Sequence, residues 1–117
     1  MQFKPSALLA IAGSLLASSS LVAGQLVINT PAHVRQCIPT EVTWSGAPGL
    51  FFLVVLKDGE PIQEFGGLPA DQYSFTWGTN VRAGTNVTLQ LNNAAGEFAS
   101  TAPFVIKHGP HNCTLVN

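Results

Sequence analysis

The sequence predicts an all-β fold, an immunoglobulin-like antiparallel β-sandwich of about seven strands. Three observations predict it. Short segments that alternate apolar and polar residues follow one another along the chain, as half-buried antiparallel strands do. Turn residues separate these segments at nearly regular intervals, which is typical of a sandwich. No stretch carries helical periodicity over the length of a full helix.

Residues 1–24 have the pattern of a secretory signal peptide. Lys4 gives the N-terminal region a positive charge, and the apolar run that follows it is too short and too rich in Ala and Ser for a membrane span. Small residues then lead to a predicted cleavage after Gly24, with cleavage after Ala23 or an uncleaved anchor as alternatives. The sequence therefore predicts a secreted protein, extracellular or in a cell wall, with one domain over 25–117.

Charge and composition argue against two classes of partner. Without Lys4, the chain carries four Lys and Arg against six Asp and Glu, a net charge of −2 with neutral histidines. It has no basic patch that would favour nucleic acid or an anionic membrane. A second long apolar run and an apolar C-terminal tail are both lacking in the sequence. We therefore expect no nucleic-acid partner and no membrane span.

The first part of the domain contains two predicted strands and an extended link. A strand over 25–29 ends at a Thr-Pro pair, and extended chain resumes over 34–37. The next strand, 41–45, places Val42 and Trp44 on one side and hydroxyl residues on the other, which indicates a half-buried antiparallel strand.

The run 50–56 is continuously apolar and lies between turn residues, so we predict a central strand that is covered on both faces or nearly so. Asp58 and Gly59 form the dipeptide of a tight hairpin. The chain then returns over 61–65 as a short edge strand, guarded by its proline and its acidic residues. The Gly-rich segment 66–71 is predicted to be a loop.

Three further strands complete the domain, over 72–77, 86–92 and 97–107, the last bent near Pro103. Each alternates, so one face of each strand is expected to enter the core. The expected inward residues are Tyr73, Phe75, Trp77, Val87, Leu89, Leu91, Phe104 and Ile106.

The chain has two cysteines, Cys37 and Cys113. In a secreted protein they most simply form one disulfide, and two free thiols are the alternative. The bond would join the segment before the Trp44 strand to the tail of the domain. An antibody domain differs, because its bridge joins two facing core strands.

Six short motifs occupy 26–31, 36–39, 43–46, 73–77, 81–85 and 100–106. Taken in their order and spacing, they resemble small secreted fungal proteins with an Ig-like domain of the yeast cell-wall-synthesis type. That family is often grouped with Ser/Thr-rich glycolipid-anchored membrane proteins. The resemblance implies a β-sandwich, secretion and a cell-wall or cell-surface setting, and it implies no catalytic residues. Many relatives continue into a stalk and an anchor signal, whereas this sequence stops at Asn117, which favours a freely secreted form.

Two asparagines, Asn86 and Asn112, lie in glycosylation sequons. Asn86 begins a strand after a turn, so a glycan on it could point to solvent. Asn112 lies beside Cys113, where early disulfide formation would hinder the transferase. The alternative for both positions is an unmodified polar asparagine.

His108 and His111 could place two metal ligands on one loop, with Glu97 or Asp71 as a third. Two ligands on a Gly-Pro loop are too few to predict a metal site. The sequence therefore predicts no metal and no cofactor.

No residue set indicates catalysis. Asp58, Glu60 and Glu64 cluster along a hairpin edge, where acidic residues usually serve solvation, whereas a glycosidase needs two acids that flank a cleft. No serine occupies the strained turn of a nucleophile elbow. We therefore predict that the protein is not an enzyme, with a small hydrolase or metal-dependent enzyme as the third hypothesis.

The aromatic residues give the best hint of a binding surface. Alternation places Trp44 and Trp77 in the core, whereas one of Phe51 and Phe52 can still be exposed, because neighbours on a strand point to opposite faces. An exposed Phe near the Gly-rich segment would be the candidate patch. The first hypothesis is a non-enzymatic cell-wall or cell-surface protein that binds wall polysaccharide, and the alternative is an effector-like module that recognises an extracellular protein.

Overall fold

The computed structural model describes residues 25–117, and the predicted signal peptide lies outside the described residues. The described chain is an antiparallel β-sandwich of eight strands without a helix, which confirms the all-β prediction. The strands are β1 (Val27–Ile28), β2 (Thr40–Ser45), β3 (Phe51–Lys57), β4 (Glu60–Leu68), β5 (Ser74–Trp77), β6 (Asn86–Asn93), β7 (Phe98–Ser100) and β8 (Phe104–Val105).

The strands form two sheets. One has three strands in the order β1-β2-β5, and the other has five, in the order β4-β3-β6-β7 with β8 also paired to β6. The chain therefore crosses between the sheets after β2, after β4 and after β5. Such crossings between two antiparallel sheets support the immunoglobulin-like assignment, which stays a prediction.

The core lies between the two sheets and follows the alternation of the sequence. Val42 and Trp44 on β2 are buried, as predicted. At one end of the core, Phe51 packs edge-on against Trp44 at 5.5 Å and against Tyr73 at 5.7 Å between ring centroids. The buried side chains of the contiguous core cluster are Leu26, Ile28, Val34, Val42, Trp44, Phe51, Leu53, Val55, Trp77, Val81, Val87, Leu89, Leu91 and Ile106.

The hairpin between β3 and β4 forms where the sequence predicts it. Asp58 and Gly59 have φ angles of 51° and 82°, and two positive values are what a two-residue hairpin turn of type I′ requires. The edge position of β4 is also confirmed, but the strand runs to Leu68, so the prediction of a loop over 66–71 is wrong at its start. Pairing continues because the register shifts opposite Phe52, where the backbone of β4 bulges.

The prediction that the apolar run 50–56 is covered on both faces, or nearly so, is wrong for its outer side. Phe51, Leu53 and Val55 are fully buried, whereas Phe52 is 38% exposed. The run is central because β3 lies between β4 and β6. Within residues 25–117 the molecule has only two layers, so no third layer covers the outer side of β3.

The two ends of the domain are less regular than predicted. The first strand pairs over only two residues, and the last strand divides into β7 and β8 around Pro103, where the bend is predicted. Phe104 is half-buried and Ile106 is buried, as expected for inward residues. Tyr73 precedes β5, and although its ring contacts Phe51 it remains 39% exposed.

The segment before β2 joins the C-terminal tail. Cys37 and Cys113 form the predicted disulfide. Next to it, Arg35 and Lys107 form a parallel bridge, and the Lys107 N–H donates to the Val34 carbonyl at 2.8 Å. Disulfides persist in oxidising compartments, so this bond is consistent with an extracellular protein.

Gln36 is the most enclosed polar residue of this junction, with 1% of its surface exposed. Its Oε1 accepts from the Ala83 N–H at 2.8 Å, and its Nε2 donates to the Pro110 carbonyl at 2.9 Å and to His111 Nδ1 at 3.1 Å. One side chain therefore ties together three segments that are distant in sequence.

We expect Gln36→Leu to lower the free energy of unfolding by about 1–3 kcal/mol, because the Ala83 N–H and the Pro110 carbonyl lose their partner. Urea denaturation measures this loss. The control is Gln90→Leu, a half-buried glutamine on the outside of β6, for which a change within about 0.5 kcal/mol is expected. Equal stability of the Gln36→Leu variant and the wild type would contradict the role of this junction.

Candidate functional site

The solvent side of the five-stranded sheet, here called the outer face, carries the candidate site. Alternate residues of each strand share a face, and directly paired residues point to the same side. The outer face therefore collects one side chain in two from five strands. Its members are Phe52, Val54, Leu56, Pro61, Glu64, Gly66, Asn86, Thr88, Gln90, Asn92, Phe98, Ser100 and Val105.

Two aromatic residues flank an amide at one end of the outer face. Asn92 is the direct partner of Phe52 on β3 and of Phe98 on β7. Phe52 is 38% exposed and Phe98 is 65% exposed. Since neighbouring strands lie about 4.8 Å apart, the backbones of the two phenylalanines are about 10 Å apart. We call Phe98, Asn92 and Phe52 the aromatic row.

The Phe52 ring lies beside the bare backbone of Gly66. A Cβ atom at position 66 would be only 3.2 Å from Cδ1 of Phe52 and 3.6 Å from its Cε1. Glycine therefore leaves the space that the ring uses on the neighbouring strand. The structure thus brings together the exposed Phe and the Gly-rich segment that the sequence singled out, although that segment belongs to a strand and not to a loop.

Beyond the aromatic row, the outer face is apolar along β3 and polar but uncharged along β6. Val54 lies between Glu64 on β4 and Gln90 on β6, and Leu56 lies beside Thr88. Glu64 is the one ionisable residue among the outer-face members in the described strands.

The polar groups of β6 are available to a ligand. Among the hydrogen bonds within residues 25–117, none uses the side chain of Thr88, Gln90 or Asn92. Amide side chains offer both donors and acceptors, and the threonine hydroxyl offers both as well. The face can therefore combine stacking on its aromatic rings with hydrogen bonding.

Sequence reasoning missed Phe98. It lies on the outer face because it pairs with Asn92, while its neighbour Ala99 pairs with the buried Leu91. The sequence shows that Phe98 and Ala99, as neighbours on a strand, point to opposite faces. Which of the two faces solvent follows only from the register between β6 and β7.

The histidines form a second cluster. The rings of His108 and His111 meet edge to face, with centroids 6.2 Å apart. The Ala83 N–H is a donor, so the atom of the Gln36 amide that faces it must be the oxygen. The other end of the amide is therefore Nε2, a donor, and His111 Nδ1 must accept its hydrogen bond. This bond occupies the lone pair through which His111 Nδ1 would bind a metal.

The proposed third ligands do not join the histidines. Glu97 accepts a hydrogen bond from Asn93 Nδ2 at 2.8 Å in the turn between β6 and β7. Asp71 lies in the connection between β4 and β5. Within residues 25–117, no three His, Cys, Asp or Glu side chains come together as a possible metal site.

The acidic residues of the β3–β4 hairpin, Asp58, Glu60 and Glu64, are all exposed. The described part of the chain contains no cavity on which they could converge. Both sequon asparagines, Asn86 and Asn112, are also exposed. The structure places Asn86 on the outer face and Asn112 in the tail beside the disulfide.

The edges of the sheets offer little room for an added strand. β5 has four residues and β7 has three, and β4 has nine but is interrupted by Pro61 and by two register shifts. Short and irregular edges are the usual protection against strand addition. The part of the chain that the structure describes also has no helix long and apolar enough to cross a membrane.

Compared with known proteins, the chain matches no protein-family model and no curated protein. The resemblance to the yeast cell-wall-synthesis family therefore rests on the sequence motifs and stays a prediction.

Proposed function

We propose that this protein is a non-enzymatic, secreted β-sandwich of the cell wall or cell surface, and that its outer face binds a neutral polysaccharide. The aromatic row is the observation that carries the proposal. Phe52 and Phe98 are exposed on either side of Asn92. Sugar rings have apolar faces that stack on aromatic rings and hydroxyl groups that pair with amides.

The spacing of the row supports a chain of sugars as the ligand. The two phenylalanines lie about 10 Å apart across the sheet, which is longer than one sugar ring, so a ligand that contacts both of them must contain several linked sugars. The ligand would then run across the strands, from β7 over β6 to β3. Since no cavity forms in the described residues, the face suits the middle of a polymer better than a chain end.

The charge of the outer face supports a neutral ligand. Glu64 is its one ionisable member, and Gln90, Asn92 and Thr88 supply uncharged hydrogen-bonding groups. An anionic polymer would need basic residues on this face. The predicted signal peptide and the disulfide support secretion, which is part of the same proposal.

A protein partner is the alternative function. The observation that favours it is the apolar line of Phe52, Val54 and Leu56 along β3, because exposed apolar patches also mark protein interfaces. The short and interrupted edge strands argue against recognition by strand addition. The aromatic row, with the free amide of Asn92 between its two rings, favours the polysaccharide.

The test is retention of the secreted protein on insoluble β-glucan, chitin and whole fungal cell wall. We expect the wild type to be retained on at least one polymer and released by the matching soluble oligosaccharide. Phe52→Ala and Phe98→Ala should each weaken retention by about five- to tenfold, as the loss of roughly 1–1.5 kcal/mol of stacking implies. The double variant should pass through.

The matched control is Val27→Ser, which changes an apolar residue on the other sheet with 45% exposure, between the values of Phe52 and Phe98, and should leave retention unchanged. Retention should also be insensitive to salt, because the proposed ligand is neutral. Undiminished retention of the double variant would overturn the proposed site. Failure of the wild type to bind any polymer would overturn the proposed function in favour of a protein partner.

A further inference from the structure

Asn86 lies on the outer face, at the end away from the aromatic row. It is the first residue of β6 and pairs with Val105 on β8. Both residues are exposed, whereas Val87, the next residue along β6, is buried. Asn92 is six positions along the strand from Asn86, which corresponds to about 20 Å.

The surroundings of Asn86 leave its amide accessible. It follows an irregular corner of the chain, and no hydrogen bond within residues 25–117 uses its side chain. Thr88, two residues later, supplies the hydroxyl that a sequon requires and lies on the same face. Val105 beside it is 53% exposed, one of the most exposed apolar side chains of the domain.

We propose that Asn86 carries an N-linked glycan whose first sugars lie over Val105 and the adjoining end of the outer face. The apolar side of a sugar ring would cover the valine, and the glycan would limit the open part of the face to the half that holds the aromatic row. This inference shares with the proposed function only the entry of the chain into the secretory pathway.

The modification requires a lipid-linked oligosaccharide pyrophosphate as donor. The amide nitrogen of Asn86 forms a bond to the anomeric carbon of the first sugar, and the bond from that carbon to the pyrophosphate breaks. The lipid pyrophosphate leaves with the electron pair. The amide nitrogen gives up one proton to a base of the transferase.

Asn112 is the internal comparison, because its sequon has the same residue types at its ends. It directly precedes Cys113, whose disulfide fixes the tail, and it follows His111, which is held by Gln36. The structure therefore assigns the glycan to Asn86 and not to Asn112.

To test this, the full chain is expressed in a eukaryotic secretory host. The mass of the secreted protein is then measured before and after treatment with peptide N-glycosidase. We expect a loss of mass in the wild type and in Asn112→Gln, and none in Asn86→Gln or Thr88→Ala. Thr88→Ala keeps Asn86 and removes only the sequon. The treated wild type should contain aspartate at position 86. No loss of mass in the wild type, or its persistence in Asn86→Gln, would overturn the assignment.

A second measurement tests the covering of Val105. Fluorescence of a dye that binds apolar surface should be higher with Asn86→Gln than with the glycosylated wild type, and Val105→Ser added to Asn86→Gln should lower it again. Equal fluorescence of wild type and Asn86→Gln would overturn the covering role.

The two proposals can fail separately. If the secreted chain carries no glycan but still binds polysaccharide, only this inference is overturned. If the chain is glycosylated but binds no polysaccharide, only the proposed function is overturned.

Discussion

Trp77→Ala should lower the free energy of unfolding by about 3–5 kcal/mol, the range for removal of a buried aromatic side chain. Trp77 has no exposed surface and is the largest fully buried side chain of the domain. Its Nε1 also donates to Oε1 of Gln63 at 2.9 Å, so the indole joins the end of β5 to β4 across the sandwich. The alanine variant loses the packing and leaves the Gln63 oxygen without this donor.

Such a loss is a large fraction of the stability of a domain of this size, which is typically about 5–15 kcal/mol. Urea denaturation followed by circular dichroism measures it without relying on tryptophan fluorescence. Trp77→Phe should lose less, since it keeps an aromatic ring and removes the N–H donor. Phe98→Ala removes an aromatic side chain that is 65% exposed, and a change within about 0.5 kcal/mol is expected. A loss below about 1 kcal/mol for Trp77→Ala would contradict the placement of this residue in the core.

Replacement of both cysteines, Cys37→Ser with Cys113→Ser, is the second change with a large expected effect. The bond closes a sequence separation of 76 residues, and loop-closure entropy over such a distance predicts a stabilisation of about 4 kcal/mol. For a domain of this length, the melting temperature should fall by more than about 15 °C. Thermal unfolding followed by circular dichroism measures the shift.

Reduction of the wild-type protein provides the control, because it breaks the same bond without changing a residue. The reduced wild type and the double serine variant should melt at similar temperatures, and reductant should not affect the variant. The tail should loosen as well, including the bond from the Val116 N–H to the Asn80 carbonyl. An unchanged melting temperature would show that packing alone holds the two ends together.

Local patterns in the sequence were sufficient for most strands and for their inward faces. The alternation of Val42 and Trp44 gives the buried side of β2, and the pair Asp58 and Gly59 gives the position and type of the β3–β4 turn. These predictions hold because each depends on neighbouring residues. The disulfide could also be predicted from the sequence alone, since two cysteines allow only one pairing.

Predictions failed where the answer depends on another strand or layer. The apolar run of β3 does not reveal that its outer side lacks a covering layer, because that is decided by the packing of the whole domain. The Gly66-Gly67 pair is typical of a loop. In the structure both glycines belong to β4, which continues to pair with β3 on either side of a bulge at this point. Phe98 became part of the candidate site only through its register with Asn92.

The junction between the first and last segments has a consequence for the order of assembly. The Arg35–Lys107 bridge and the Cys37–Cys113 bond join parts of the chain that are synthesised far apart in time. Arg35 and Cys37, in the segment before β2, therefore have no partner until Lys107 and then Cys113 have left the ribosome. Because contacts between distant residues are slow to form, completion of this domain is expected to be a late event that involves the whole chain at once.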